Sequence, residues 1–154
     1  MDYELETIDS ELKLYARYMY ELVSLSDRMN DLQMMLSSSS YGVSSPRIKS
    51  IQEAKYKQSP KVYMEDAALN WIEDMDQIRK EIKVLRMEYS LKRIFCLKMM
   101  EKICAANLDP EEIQILWLRY FKGMSLRGIA EEMWSNKDKI SQKIGEILQL
   151  VLTG

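Results

Sequence analysis

An apolar stripe with alternating intervals of three and four residues runs through the N-terminal part of the chain. Its positions are Leu5, Ile8, Leu12, Tyr15, Met19, Leu22, Ser26, Met29, Gln33 and Leu36. A second stripe of the same spacing comprises Ala68, Trp71, Met75, Ile78, Ile82, Leu85, Tyr89, Lys92, Cys96, Met99, Ile103 and Ala106. Because residues three and four apart lie on one side of an α-helix, the pattern predicts two long helices. One covers about residues 1–37 and the other runs from about Tyr63 to Asn107.

A polar and basic segment, residues 38–61, separates the two stripes. It begins with the serine-rich run SSSSYGVSSPR, in which Gly42 and Pro46 would end a helix. Its charged residues are Arg47, Lys49, Lys55, Lys57 and Lys61 against Glu53. Two facing apolar stripes joined by one loop predict an antiparallel, coiled-coil-like hairpin for residues 1–107.

Each predicted long helix also carries apolar residues outside its stripe. Leu25 and Leu32 on the first helix, and Leu91 and Phe95 on the second, are available to pair with another copy. The alternative is a hairpin that packs only on itself. We expect residues 1–107 to mediate self-association, with a homodimer as the favoured state.

The run ANLDPEE separates the second long helix from a set of shorter helices in residues 108–154. The helices expected there are 110–121, 126–133 and 137–152, with Asp109, Ser125 and Asn136 as their N-terminal caps. Gly123 and the pair Trp134-Ser135 would form the two turns. These residues are therefore predicted to form a tri-helical domain of their own.

Helices of these lengths with such short turns fit a helix-turn-helix, in which the second helix of the pair enters the DNA major groove. Ala130 is small where the two helices approach, and Ile140, ten residues later, would hold them together. The preceding helix would cover this core through Ile113, Leu116 and Tyr120. The predicted fold is all-α: a long antiparallel helical hairpin followed by a C-terminal tri-helical helix-turn-helix domain.

The outward face of the last predicted helix is rich in side chains that can contact DNA. It consists of Lys137, Asp138, Lys139, Ser141, Gln142 and Lys143, and residues 136–143 carry three lysines against one aspartate. Lysine can contact guanine or phosphate, glutamine can bond adenine, and aspartate can accept from cytosine. The alternative is an ordinary solvated helix face. Together with the turn and the core spacing, the pattern favours double-stranded DNA as the partner.

Composition argues against several other classes of function. The chain has no histidine, and its two cysteines, Cys96 and Cys104, lie on one predicted helix. With no glycine-rich phosphate loop either, we expect no catalytic residue, no metal site and no cofactor. No apolar run reaches about 18 residues, which argues against a membrane span, and the acidic N-terminus is unlike a signal peptide. We therefore expect a cytoplasmic protein. Since the net charge is −2, DNA affinity must come from a local patch.

The C-terminal segment resembles region 4 of bacterial sigma factors. The resemblance rests on Glu112 to Leu116, Leu118-Arg119-Tyr120, Gly123-Met124-Ser125 and Ile129-Ala130-Glu131-Glu132. In layout, the whole chain is similar to small RinA- and ArpU-like regulators of late genes and packaging in phages and prophages of Gram-positive bacteria. The resemblance implies a sequence-specific DNA-binding transcription regulator that acts as an oligomer in the cytoplasm of the bacterial host cell.

The resemblance also implies roles for single residues. Lys137, Asp138 and Gln142 match positions at which sigma recognition helices contact bases, and Ser125 and Arg127 match positions that meet phosphate. Together with the other residues on the outward face of the last predicted helix, this assigns base contacts to Lys137, Asp138, Lys139, Ser141 and Gln142. Phosphate contacts are assigned to Ser125, Arg127, Asn136 and Lys143.

Two positions depart from the sigma pattern, and two further functions stay open. Trp134 stands where the turn usually has glycine, so either the turn is remodelled or Trp134 is an exposed contact residue. Gly128 weakens the short fourth helix.

One alternative function is a small-terminase-like subunit that recognises DNA for packaging. The other is a sigma-like protein that contacts RNA polymerase without reading bases.

Overall fold

The structure is a computed structural model that describes residues 3–39 and 60–154, and the side chains of 3–38 and 66–154. Five helices account for nearly all of these residues: α1 Tyr3–Ser39, α2 Pro60–Ala105, α3 Pro110–Leu116, α4 Leu126–Glu132 and α5 Lys137–Thr153. A π-helical turn, Trp117–Phe121, continues α3. No strand occurs in the described ranges, so the predicted all-α class with a long N-terminal helix pair is confirmed. The central part of the predicted basic loop, residues 40–59, lies outside them.

The two predicted stripes are the sides on which the long helices are buried. In α1, Ile8, Leu12 and Tyr15 are buried and only Gln33 of the stripe is exposed. In α2, the stripe is buried or half-buried from Met75 to Ala106. Its first two members, Ala68 and Trp71, are exposed instead.

The chain forms two compact units, and the first combines residues up to Leu22 with Leu91–Gly154. Its core joins α1, the end of α2 and all three short helices. The buried members are Ile8, Leu12, Tyr15, Cys96, Met99, Ala106, Ile115, Leu116, Leu118, Tyr120, Ile129, Ala130, Ile140, Ile144, Ile147, Leu148 and Val151. Burial raises the pKa of the Cys96 thiol, which packs here as a small apolar side chain.

Polar contacts hold α1 against the rest of the first unit. Lys102 of α2 pairs with Glu11 at 3.3 Å, and Lys92 pairs with Glu21. As the α1 partner moves up the sequence the α2 partner moves down, so the two helices are antiparallel in this unit. The Tyr120 hydroxyl donates a hydrogen bond to Asp9. Residues 108–154 thus pack on α1 and α2, and whether they fold alone stays a prediction.

The second unit comprises Val23–Ser90 and has a smaller core. Leu32, Met75 and Ile82 are its buried apolar residues among those described. Arg28 of α1 donates to Glu81 of α2 through two guanidinium nitrogens, at 3.3 and 3.0 Å. A pair of this geometry fixes the register of the two helices more than it stabilises them, because both side chains remain partly exposed.

Three predicted exposed apolar residues are not exposed. Leu25 is half-buried, and Leu32 is 1% exposed. Phe95 is half-buried with its ring edge-on to Tyr18, at 5.4 Å between centroids. Each lies one residue before a stripe position and shares its side of the helix. Leu91 is 65% exposed, as predicted.

Of the three residues predicted to cover the helix-turn-helix core from the third helix, Ile113 does not do so. Ile113 is 52% exposed, whereas Ile115 is fully buried. The reason lies in the cap: Asp109 accepts from the Glu112 backbone N–H at 2.8 Å, and the Glu112 carboxylate accepts from the Asp109 N–H at 3.0 Å. This capping box turns Glu112 inward, so Ile113, about 100° further round the helix, faces outward.

Candidate nucleic-acid interface

The turn before α4 is built from the π-helical segment and a left-handed glycine. Gly123 has φ +67°, a conformation that glycine adopts without a steric penalty. The Met124 N–H then bonds the Leu118 carbonyl at 3.0 Å, and the Arg119 guanidinium donates to the Met124 carbonyl at 3.4 Å. The chain therefore reverses within a few residues and starts α4 at a defined place.

Ser125 is the N-cap of α4, as the sequence predicts. Its hydroxyl oxygen accepts from the Gly128 N–H at 3.1 Å. The hydroxyl proton is left to donate to an anion, and the exposed guanidinium of Arg127 follows within the first turn. Both predicted phosphate contacts on α4 are thus at the surface of the same helix end.

α4 and α5 pack through the predicted pair. Ala130 is 5% exposed and Ile140 is 2% exposed. Ile144, Ile147 and Leu148 continue the buried side of α5, and α3 packs directly against α5 as well. A short helix, a tight turn and a longer helix joined by this core form the arrangement expected of a helix-turn-helix.

The turn between α4 and α5 holds a tryptophan in a left-handed backbone conformation. Trp134 has φ +54° and is 97% exposed. The Ser135 N–H bonds the Ala130 carbonyl at 2.8 Å and the Trp134 N–H reaches the Glu131 carbonyl at 3.4 Å, which together make a Schellman motif. The glycine-type turn is therefore retained, and the exposed indole has no packing role within the described residues.

Asn136 is the N-cap of α5. Its side-chain oxygen accepts from the Lys139 backbone N–H at 2.9 Å. That oxygen is therefore occupied, but the amide group of the same side chain can still donate to a phosphate. Asp138 lies in the first turn, where a carboxylate complements the positive end of the helix dipole.

The predicted contact residues of α5 lie on its solvent side in three neighbouring rows. All are exposed except Lys143, which is half-buried. Because residues four apart are neighbours on a helix, Asp138 and Gln142 form the row facing away from the core. Lys139 and Lys143 flank it on one side, and Lys137 and Ser141 on the other.

None of these three lysines pairs with a carboxylate in the part of the chain that the structure describes. The lysines that hold α1 to α2 do form such pairs. The α5 ammonium groups are accordingly available to an external anion.

A groove of about 510 Å³ runs along one flank of α5. Trp134, Lys139, Gln142 and Lys143 line it together with two carboxylates, Glu111 of α3 and Glu146 of α5. The charges of the two lysines and the two glutamates balance, so the groove itself is not a basic channel. Sequence reasoning missed Glu111 and Glu146, although the spacing of Lys143 and Glu146 places both on one helix flank.

In residues 3–39 and 60–154, no three His, Cys, Asp or Glu side chains are grouped so that they could hold a metal ion. Over the same residues, no helix has the length and apolar character needed to cross a membrane.

Comparison of the chain with protein-family models, with curated proteins and with solved structures finds no match. The resemblance to sigma region 4 thus rests on the sequence motif alone.

Proposed function

We propose that this protein is a sequence-specific, double-stranded-DNA-binding transcription regulator of a phage or prophage. It acts as an oligomer in the cytoplasm of its bacterial host. The observation that carries the proposal is the solvent side of α5, where three lysines without carboxylate partners surround the directional side chains of Asp138 and Gln142. The helix-turn-helix arrangement of α4 and α5 supports it, because it presents this side to a DNA groove.

The chemistry of the α5 side chains divides them into two roles. Gln142 can bond adenine through two hydrogen bonds, and Asp138 can accept from the cytosine amino group, so these two read bases. Lys137, Lys139 and Ser141 reach base edges or the adjoining phosphates from the first turns of the helix. Each well-formed base contact discriminates by about 1–3 kcal/mol against the wrong base.

The phosphate contacts come from groups that surround the base-reading row. Ser125 and Arg127 donate from the start of α4, Asn136 donates its amide group from the start of α5, and Lys143 supplies a charge one turn further along. These contacts position the protein and do not depend on sequence. Trp134 adds an apolar contact beside the N-terminus of α5, where its indole is 97% exposed.

The groove beside α5 favours one second candidate, a sigma-like protein that contacts RNA polymerase without reading bases. A fully exposed tryptophan next to balanced charges is typical of a protein-binding surface. In that case Trp134, Glu111 and Glu146 would contact polymerase, and the α5 lysines would have no sequence preference.

The experiment is selection of bound duplexes from a random pool, followed by footprinting on the DNA next to the gene. The proposal predicts one enriched motif and protection at a promoter or operator. Protection at a packaging site would favour the packaging subunit instead. Enrichment of no motif, together with capture of RNA polymerase by the wild type and not by a Trp134→Gly variant, would favour the polymerase-binding candidate.

A further inference from the structure

The second unit exposes apolar residues on the sides of α1 and α2 that face away from their shared seam. On α1 these are Val23 and Met34, 62% and 69% exposed. On α2 they are Val84 and Met87, 65% and 68% exposed. Exposed apolar side chains grouped on one side of a helix can mark a surface that another molecule covers.

The spacing shows that each set occupies one side of its helix. On α1, Val23, Asp27, Asp31 and Met34 follow one another at intervals of four, four and three. On α2, Lys80, Lys83, Val84 and Met87 lie at intervals of three, one and three. Residues three, four and seven apart share one side of a helix, and Lys83, Val84 and Met87 lie at these distances from Lys80. We call these the acidic face of α1 and the basic face of α2.

The charged groups of the two faces have no ion-pair partners among the residues that the structure describes. Asp27, Asp31, Lys80 and Lys83 are all exposed, and none forms an ion pair with a described residue. The neighbouring charges Arg28 and Glu81 are already paired with each other inside the unit. The acidic and the basic face are thus left free to meet a surface of the opposite charge.

We infer that copies of this chain assemble with the acidic face of α1 of one copy against the basic face of α2 of the next. On the α1 face the two aspartates lie between Val23 and Met34, and on the α2 face the two lysines precede Val84 and Met87. Charges of opposite sign therefore meet when the two faces pair. Pairing either face with itself would bring two aspartates against two aspartates, or two lysines against two lysines, which is repulsive.

The arrangement of the faces also sets the kind of assembly. Both faces lie opposite the seam of the α1–α2 pair in this unit, so they point in opposite directions. A copy that uses one face toward a neighbour keeps its other face free for another neighbour. Such a head-to-tail contact gives a ring or a chain of more than two copies instead of a closed dimer.

This inference rests on the oligomeric part of the proposed function and is independent of whether α5 reads DNA. The test uses full-length protein with two charge-reversal variants, Asp27→Lys/Asp31→Lys and Lys80→Glu/Lys83→Glu. Glu4→Lys/Glu6→Lys, which reverses exposed acids of α1 outside the acidic face, is the matched control. Circular dichroism verifies that all variants keep their helix content.

Sedimentation at tens of micromolar is the readout, with 18.2 kDa as the mass of one copy. We expect the wild type and the control to exceed the mass of a dimer, and each reversal variant to fall to one copy. An equimolar mixture of the two variants should again exceed the mass of a dimer, because native aspartates then face native lysines at one kind of junction and introduced lysines face introduced glutamates at the other. A wild type that stays at one or two copies, reversal variants that keep the wild-type mass, or a mixture that does not associate would each overturn the inference.

The same samples separate this inference from the DNA-binding proposal. A titration with selected duplex shows whether a single-copy variant still binds the motif at higher protein concentration. If the wild type is a single copy and binds the motif, only the assembly inference is wrong. Self-association without motif binding sinks the DNA-binding proposal alone.

Discussion

Replacement of Trp134 by glycine separates the structural from the functional role of this residue, because the two predict opposite changes. At φ +54° a non-glycine residue is strained by about 1–2 kcal/mol, and glycine removes that strain. Glycine costs about 0.5–1 kcal/mol through the entropy of the unfolded chain. The indole is 97% exposed, so its loss removes almost no packing. The net expectation is a gain in unfolding free energy of about 0.5–1 kcal/mol.

The same substitution should weaken DNA binding. If half of the indole's area of roughly 200 Å² is covered by DNA, about 25 cal/mol per Å² gives an upper figure of about 2.5 kcal/mol. Since part of that contact is lost to imperfect packing, we expect affinity for the selected duplex to fall about tenfold, which corresponds to about 1.4 kcal/mol. A stabilised protein with weaker binding is the signature of a residue kept for contact and not for folding.

Thermal unfolding and a duplex titration measure the two effects on one preparation. The Trp134→Gly variant should melt about 2 °C higher than the wild type. Asn107→Gly is the matched control, because Asn107 also has positive φ, at +50°, at an exposed helix end far from α5 in sequence. Asparagine tolerates this conformation, so the control should gain less stability and keep full DNA affinity. A Trp134→Gly variant that melts lower, or that binds as tightly as the wild type, would refute the reasoning.

Three further predictions concern single side chains. Burial and the hydrogen bond to Asp9 raise the pKa of Tyr120 above 10.0, so the folded state holds this proton more tightly than the unfolded chain does. The free energy of unfolding should therefore fall as pH rises above about 10. Tyr120→Phe should lose about 1 kcal/mol of this free energy at pH 7 and show a shallower decline at alkaline pH in urea titrations. Gly128→Ala should stabilise by up to about 1 kcal/mol by chemical denaturation, provided that the flexible end of Met124, 3.3 Å from the added carbon, moves aside. Lys143→Ala should weaken binding to all duplexes alike and lower the slope of log K against log salt by about one, and a change in sequence preference would contradict its assignment to phosphate.

The long helices and their buried sides were predictable because a three-and-four spacing depends only on local geometry. The start of α2 at Pro60, before the predicted Tyr63, fits the tolerance of proline in a first helical turn. Capping residues located α3, α4 and α5 for the same local reason. Asp109, Ser125 and Asn136 all accept the predicted backbone N–H groups.

The features that sequence did not predict depend on contacts between distant residues. The hydrogen bond from Tyr120 to Asp9 joins residues 111 apart, and no local pattern encodes it. The π-helical turn that contains the buried Leu118 was likewise not predicted. The groove along α5 needs Glu111, which only the packing of α3 on α5 brings close.

The exposed side of α5 was predictable because Ile140, Ile144 and Ile147 repeat at helical spacing and leave one side of the helix to solvent. The DNA contacts assigned to that side stay a prediction. The backbone conformation at Trp134 was foreseeable as an alternative, since the sigma pattern has glycine at that place. Exposure of the indole was the other alternative, and the structure shows it together with the glycine-type turn.

Whether α5 reads DNA is decided by a titration of the wild type and a Lys137→Ala/Gln142→Ala variant against selected and scrambled duplexes at two salt concentrations. Both side chains are exposed, so the variant should keep its fold, which its melting temperature verifies. We expect the wild type to prefer the selected duplex, and the variant to lose most of this preference together with part of its salt dependence. A folded variant that keeps both affinity and preference would contradict the assignment of α5 as the helix that reads DNA.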